Sequence, residues 1–143
     1  MAAQSDIGIE LWSSTTGAAL SYTKLVDVTS VPGTGSAPGK LESTVLSSKQ
    51  KTYVADRVDT PDMDFTYNYD STNWSAVTGF VSLTTEKYFM IIYGDGSGVV
   101  IKGTSATFIN PVSRGSVVEA TLTVVASEIL DKTAAEVTAL KTV

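Results

Sequence analysis

Hydrophobic and polar residues alternate most cleanly in "TPDMDFTYNYD", residues 60–70. Met63, Phe65, Tyr67 and Tyr69 fall on one side, and Asp62, Asp64, Thr66, Asn68 and Asp70 on the other. Side chains of a strand point alternately to its two faces, so this pattern predicts a strand with an apolar side and an acidic side. The same period recurs in "GSVVEATLTVVAS", residues 115–127. There Val118, Ala120, Leu122, Val124 and Ala126 predict a core face, and Glu119, Thr121 and Thr123 the opposite one. "KYFMIIYGDGSGVVIKGTSATFIN", residues 87–110, predicts a hairpin turning at Gly94–Gly98. Phe89, Ile91 and Tyr93 share one side and Tyr88, Met90 and Ile92 the other, so its first strand is expected to be central and covered on both faces.

The remaining segments are shorter. Residues 6–12 alternate loosely, and residues 22–31 form a β-branched run ending before Pro32. Residues 31–40 read as a Pro/Gly/Ser loop, and residues 40–45 as a short strand. Residues 46–59 are polar with no clean period, and are expected to form a flexible flap. "DSTNWSAVTGFVSL", residues 70–83, is the strongest helix: Asp70 or Ser71 can cap it, and Trp74, Val77 and Val81 share a face. A capping box from Thr133 to Glu136 gives a weaker helix signal in the tail, residues 128–143. Together these predict one domain over residues 1–143: a mainly β, antiparallel sandwich or barrel of about six strands with one flanking α-helix, preceded by an arm over residues 1–21.

Composition narrows the functions open to such a domain. The chain is 43% hydrophobic, which suffices for a core. Ten basic residues face fifteen acidic ones, and a net charge of −5 opposes general affinity for nucleic acid or anionic lipid. With no Cys and no His, the chain has no disulfide, no thiolate zinc site and no imidazole base. The longest apolar run, "FMIIY" at 89–93, is too short for a membrane span, and the first twelve residues lack the form of a signal peptide.

No motif adds convincing chemistry. In "GTGSAPGKL", residues 33–41, the glycines are spaced too widely for a phosphate loop and Leu41 replaces the magnesium-binding hydroxyl. "SYTK" and "SKQK" match a Ser-x-x-Lys spacing without its companion elements, and "NWS" at 73–75 reads as a first helical turn rather than a glycosylation site. Asp56, Asp59, Asp62, Asp64 and Asp70 lie within fifteen residues, balanced only by Arg57. Asp62 and Asp64 sit roughly 6.5–7 Å apart along a strand, a spacing open to a carboxylate pair or calcium. A solvated acidic face is the simpler reading. No catalytic residue, metal or cofactor is assigned.

The segment 41–70 resembles the tail tube (major tail) proteins of long, non-contractile-tailed bacteriophages. The resemblance lies in Glu42-Ser43-Thr44, the basic stretch Lys49 to Lys51, Tyr53-Val54, and Asp59-Thr60 through Phe65 and Tyr67. It continues in order through a helix, a Gly/Asp hairpin and the strand at 115–124, covering about residues 22–127. It implies a non-enzymatic virion subunit forming stacked, hexameric rings, whose joined inner sheets line a channel for genome delivery. It further implies partners among the tape measure, terminator and distal tail proteins, and assembly in the host cytoplasm without a membrane anchor. DNA would pass without specific binding, and Asp62, Asp64 and Asp70 are the candidate lumen-facing acids. Lys49, Lys51, Tyr53, Val54, Arg57 and Asp59 are the candidate inter-subunit flap residues. The short stretch after the last strand implies a plain outer tube surface.

Such a tube requires strand edges left open for a neighbour, and "SVVEATLTVVAS" is the candidate. The alternative is a monomeric β-sandwich carbohydrate-binding module, presenting Trp12, Trp74, Tyr67 and Tyr69 in a row; a small acidic-site hydrolase is a third reading.

Overall fold

The computed structural model describes residues 8–33, 40–47, 49–55 and 62–141. The described strands are β1 (Glu10–Ser14), β2 (Thr23–Val26), β3 (Val28–Ser30), β4 (Lys40–Glu42), β5 (Tyr53–Ala55), β6 (Met63–Asn68), β7 (Lys87–Ile92), β8 (Gly98–Ile109) and β9 (Glu119–Lys132). Helix α1 (Ser71–Thr78) lies between β6 and β7, and α2 (Ala134–Leu140) follows β9. Seven strands form one antiparallel sheet in the order β2-β1-β7-β8-β9-β6-β3, and among the described residues β4 pairs only with β5. The strands at the two edges, β2 and β3, are separated in sequence by Asp27 alone. Two positions so close in the chain cannot lie at opposite ends of a flat sheet, so the sheet rolls until its edges meet.

The rolled sheet encloses the main core. Phe65, Phe89, Leu122 and Val124 are fully buried on the inner face, as the alternation predicts, and Leu11 and Ile101 join them there. Helix α1 covers this face with buried Val77 and half-buried Trp74. Asp70 caps α1 by accepting a hydrogen bond from the Asn73 backbone N–H at 2.8 Å. The helix ends at Thr78, five residues short of the sequence expectation, and Phe80 and Val81 pack on the core from the loop beyond.

Strand β7 is covered twice. Phe89 and Ile91 join the inner core, while Met90 and Ile92 join a second cluster with Tyr22, Val100 and Val137 on the outer face. The cover there is α2, a second helix beyond the one flanking helix expected. Its capping box, Thr133 with Glu136, is formed.

Three further differences have clear causes. Residues 10–14, expected in an N-terminal arm, form β1 inside the sheet between β2 and β7. The tail from residue 128 begins as strand, because β9 runs on to Lys132. There the register shifts beside Gly103, where a Cβ would stand 2.1 Å from the Val125 carbonyl oxygen. That bulge hides the longer strand by breaking its alternation. Third, "SVVEATLTVVAS" is not a sheet edge through its middle: residues 119–124 lie between β8 and β6.

Candidate assembly site

The outer face of the sheet beyond α2 is open. β8 contributes Thr104, Ala106 and Phe108; β9 contributes Glu119, Thr121, Thr123 and Val125; β6 contributes Asp64, Thr66 and Asn68. None of these ten residues is Lys or Arg; the nearest on β8 is Lys102, paired with Glu86. The acids are held in place by hydroxyls. Asp64 accepts from the Thr123 hydroxyl at 2.9 Å, and Glu119 accepts from the Thr29 hydroxyl at 3.1 Å. Asp62 is exposed just before β6, and two-residue alternation places it on the same face. Asp70 differs: it lies past the strand end and its carboxylate caps α1. Glu119 belongs to this acidic face and was readable from its alternation with Ala120 and Leu122.

The long hairpin of β8 and β9 is staggered against its neighbours. β7 pairs with β8 only as far as Gly103, so residues 104–109 of β8 pair with β9 alone. β6 pairs with β9 only over residues 119–124, so residues 125–132 pair with β8 alone. The Asn110 N–H turns inward to Glu119, whereas the Ser105 N–H turns outward to Ser82. By alternation the backbones of Thr107 and Ile109 also turn outward, where no strand follows among the described residues. A groove of about 350 Å³, lined by Val81, Leu83, Ser105 and Thr107 among others, runs along this edge. Phe108, Ile109, Val112 and Val117 are exposed at the same end.

The flap expected over residues 46–59 is in part a β-hairpin. Leu41 pairs with Val54 and Glu42 with Tyr53, and the Lys40 ammonium lies 5.5 Å from the centre of the Tyr53 ring. Leu41, Val45, Leu46, Tyr53 and Val54 are all exposed, as are Lys49 and Lys51. Arg57 and Asp59 lie outside the described residues. A two-stranded ribbon exposed on both faces is marginal in water.

The aromatic row required for carbohydrate binding is not formed by the four candidates. Tyr67 is buried with its hydroxyl 2.8 Å from that of Thr107, and Trp12 lies under Lys141. Tyr69 is exposed, against the fourth candidate, half-buried Trp74, with ring centres 5.7 Å apart. Among the described residues no group of three or more His, Cys, Asp or Glu could hold a metal, and no helix is long and apolar enough to cross a membrane.

No protein-family model matches the chain, and no curated protein matches it in sequence. Among solved structures it is similar to a chain from the anti-feeding prophage (AFP) baseplate, a cryo-EM structure symmetrised six-fold. The TM-score is 0.68 at 9% identity, with 94% of this chain and 97% of that one covered. It is also similar to a chain from the PVC sheath/tube terminator of an extracellular contractile injection system in the extended state. There the TM-score is 0.61 at 9% identity, with 93% and 99% covered. The chain therefore shares its fold, over nearly its whole length, with these two chains.

Proposed function

We infer that this chain is a structural subunit of a phage-tail-type tube, non-enzymatic and self-assembling into stacked rings through which a genome is delivered. The observation that carries this reading is the stagger of β8 and β9. Among the described residues it leaves one edge without a neighbouring strand at 104–109, bonded outward at Ser105 to the Ser82 carbonyl, and another at 125–132, on opposite sides of the same hairpin. Two different edges on one molecule join head to tail, and a head-to-tail contact that closes makes a ring. A sheet continued in this way satisfies backbone groups that a lone subunit leaves to water. The six-fold symmetrised particle that contains a similar fold supports a hexameric ring.

The open acidic face then turns toward the channel. Asp62, Asp64 and Glu119 repel phosphates, so DNA slides past a wetted wall without binding. The β4–β5 ribbon, with Lys49, Lys51, Tyr53 and Val54, reaches to a neighbouring ring. Tape measure, terminator and distal tail proteins are the further partners, and the site of action is the virion after assembly in the host cytoplasm. The sequence resemblance is to non-contractile tails, and the structural likeness is to a prophage baseplate chain and to a sheath/tube terminator chain of a contractile injection system.

The edge is tested by Ile109→Pro. Proline removes an N–H that faces outward, and an edge strand tolerates that loss. The variant should keep the wild-type melting transition and form no rings or tubes. Wild-type tubes from Ile109→Pro would contradict the edge assignment.

A further inference from the structure

The outer face under α2 holds Trp12, Tyr22, Met90, Ile92 and Val100. Its cover is slight. Residues 133–141 offer this patch only Val137 and Leu140 as apolar side chains. Among the described residues, the backbone bonds from Leu20 N–H to the Ala139 carbonyl and from Tyr22 N–H to the Leu140 carbonyl, each 3.2 Å, fasten the cover to the loop opposite, where Tyr22 bridges Lys141 in parallel. The Lys141 ammonium adds a contact 4.8 Å above the Trp12 ring. The Thr133–Glu136 capping box and the Lys132–Glu136 ion pair hold only the first turn of α2, and a seven-residue helix does not keep that turn once the cover lifts.

The fastening loop is strained. Ser21 N–H donates to the Ala18 carbonyl at 3.3 Å, closing a turn with Leu20 as its third residue. Leu20 has φ +58°, and among the described residues it is the only non-glycine with positive φ. Glycine or asparagine sits at ease in that conformation, whereas leucine does not. The Leu20 side chain is itself 56% exposed, so burial offsets little of this strain. Beneath the cover, the indole N–H of Trp12 is buried without an acceptor among the described residues.

We propose that residues 133–141 are a releasable strap, which lifts from the outer face while the barrel stays folded and uncovers an apolar patch that packs against a second copy of this chain. Opening relaxes Leu20 and frees the Trp12 N–H, so the closed form is only weakly favoured. The second copy follows from position. Val100 pairs with Leu130, which is exposed on the same face and lies on the half of β9 that pairs with β8 alone among the described residues. A neighbour that extends the sheet at residues 125–132 therefore stands beside the patch. The identity of this occupant rests on the assembly reading above; the release of the strap does not.

Native-state hydrogen exchange on the full-chain monomer tests the release. The amides of Leu20 and Tyr22 donate into the strap and report its opening, while those of Met90 and Ile91 report the barrel. Leu20 and Tyr22 should exchange about tenfold or more faster than the β7 amides. Leu20→Gly and Leu20→Asn should each slow exchange at Tyr22 by about threefold and leave β7 unchanged. Equal rates at Tyr22 and Met90, or no response of Tyr22 to either substitution, would overturn the strap.

Sedimentation across a concentration series tests the occupant. Leu20→Gly should raise the concentration at which copies associate, and Leu140→Asp should lower it. Lys141→Ala, which removes only the cation above Trp12, should also lower it if Leu140→Asp unfolds the barrel. Unmoved association in a protein whose strap opens as described would overturn docking at the patch. A wild-type chain that never associates would refute the assembly reading and the docking together, while the exchange pattern would still support the strap.

Discussion

Val26 and Val28 stand on either side of Asp27, yet they belong to the strands at opposite edges of the seven-stranded sheet. That relationship forces the sheet to roll and makes Asp27 the seam. Lys24 spans the corner, 2.7 Å from the Asp27 carboxylate and 3.2 Å from that of Glu10. All three groups face water, so Lys24→Ala should cost only about 0–1 kcal/mol. The seam is held by what lies inside. Truncating Phe65 or Phe89 to Ala should cost about 3–5 kcal/mol by chemical denaturation, since both are fully buried. Gly103→Ala should also destabilise, by about 1–3 kcal/mol or more, because its Cβ meets backbone rather than a side chain that can move.

The acids separate into two groups with different outcomes. Asp62→Lys with Asp64→Lys should leave the melting temperature and tube formation nearly unchanged, while genome passage falls because a basic wall holds phosphates. Asp70→Ala should instead cost about 1 kcal/mol of stability through the lost cap of α1. Normal infectivity from the double charge reversal would remove these two acids from the channel.

Acid should loosen the strap before the barrel. The Thr133 backbone N–H and hydroxyl hold the Glu136 carboxyl below its ordinary range, and Lys132 adds a smaller effect in the same direction. A depressed carboxyl stabilises the folded form above its unfolded pKa, near 4.3, and that contribution is lost as pH falls through the lower folded value. Exchange at the Tyr22 amide, corrected for intrinsic rate, should therefore rise relative to Met90 as pH drops below about 4. Glu136→Gln should flatten this dependence.

Replacing residues 40–55 with a short Gly-Ser linker should leave a folded monomer, because among the described residues β4 and β5 pair only with each other. The same variant should fail to stack rings. In the wild type, amides of 40–47 and 49–55 should exchange quickly in the monomer and slowly in the tube. Equal rates in the two states would show that the ribbon makes no contact between rings.

Much of the fold was legible because its signals are local. Period-two alternation placed Met63, Phe65 and Tyr67 inside and Asp64 outside, and the two apolar faces of Phe89–Ile92 announced a strand covered twice. Tyr69 left the pattern because the strand ends at Asn68 and its ring turns to Trp74. Asp70 satisfies both the acidic row and the cap in sequence; its carboxylate caps α1 and the residue stays exposed. What stayed hidden depends on distant partners. β9 was read as an edge because its own residues do not reveal how far β6 and β7 extend beside the hairpin. β4 was legible within residues 40–45, but its partner β5 escaped notice because a three-residue strand ten residues further on carries almost no period.

The central claim is self-assembly through the staggered edges of β8 and β9. Negative-stain electron microscopy of the purified chain, over a range of concentration and salt, tests it most directly. Rings or hollow filaments with a central channel are the predicted result, lost in Ile109→Pro at unchanged stability. A protein that stays monomeric at high concentration in every salt would contradict the account.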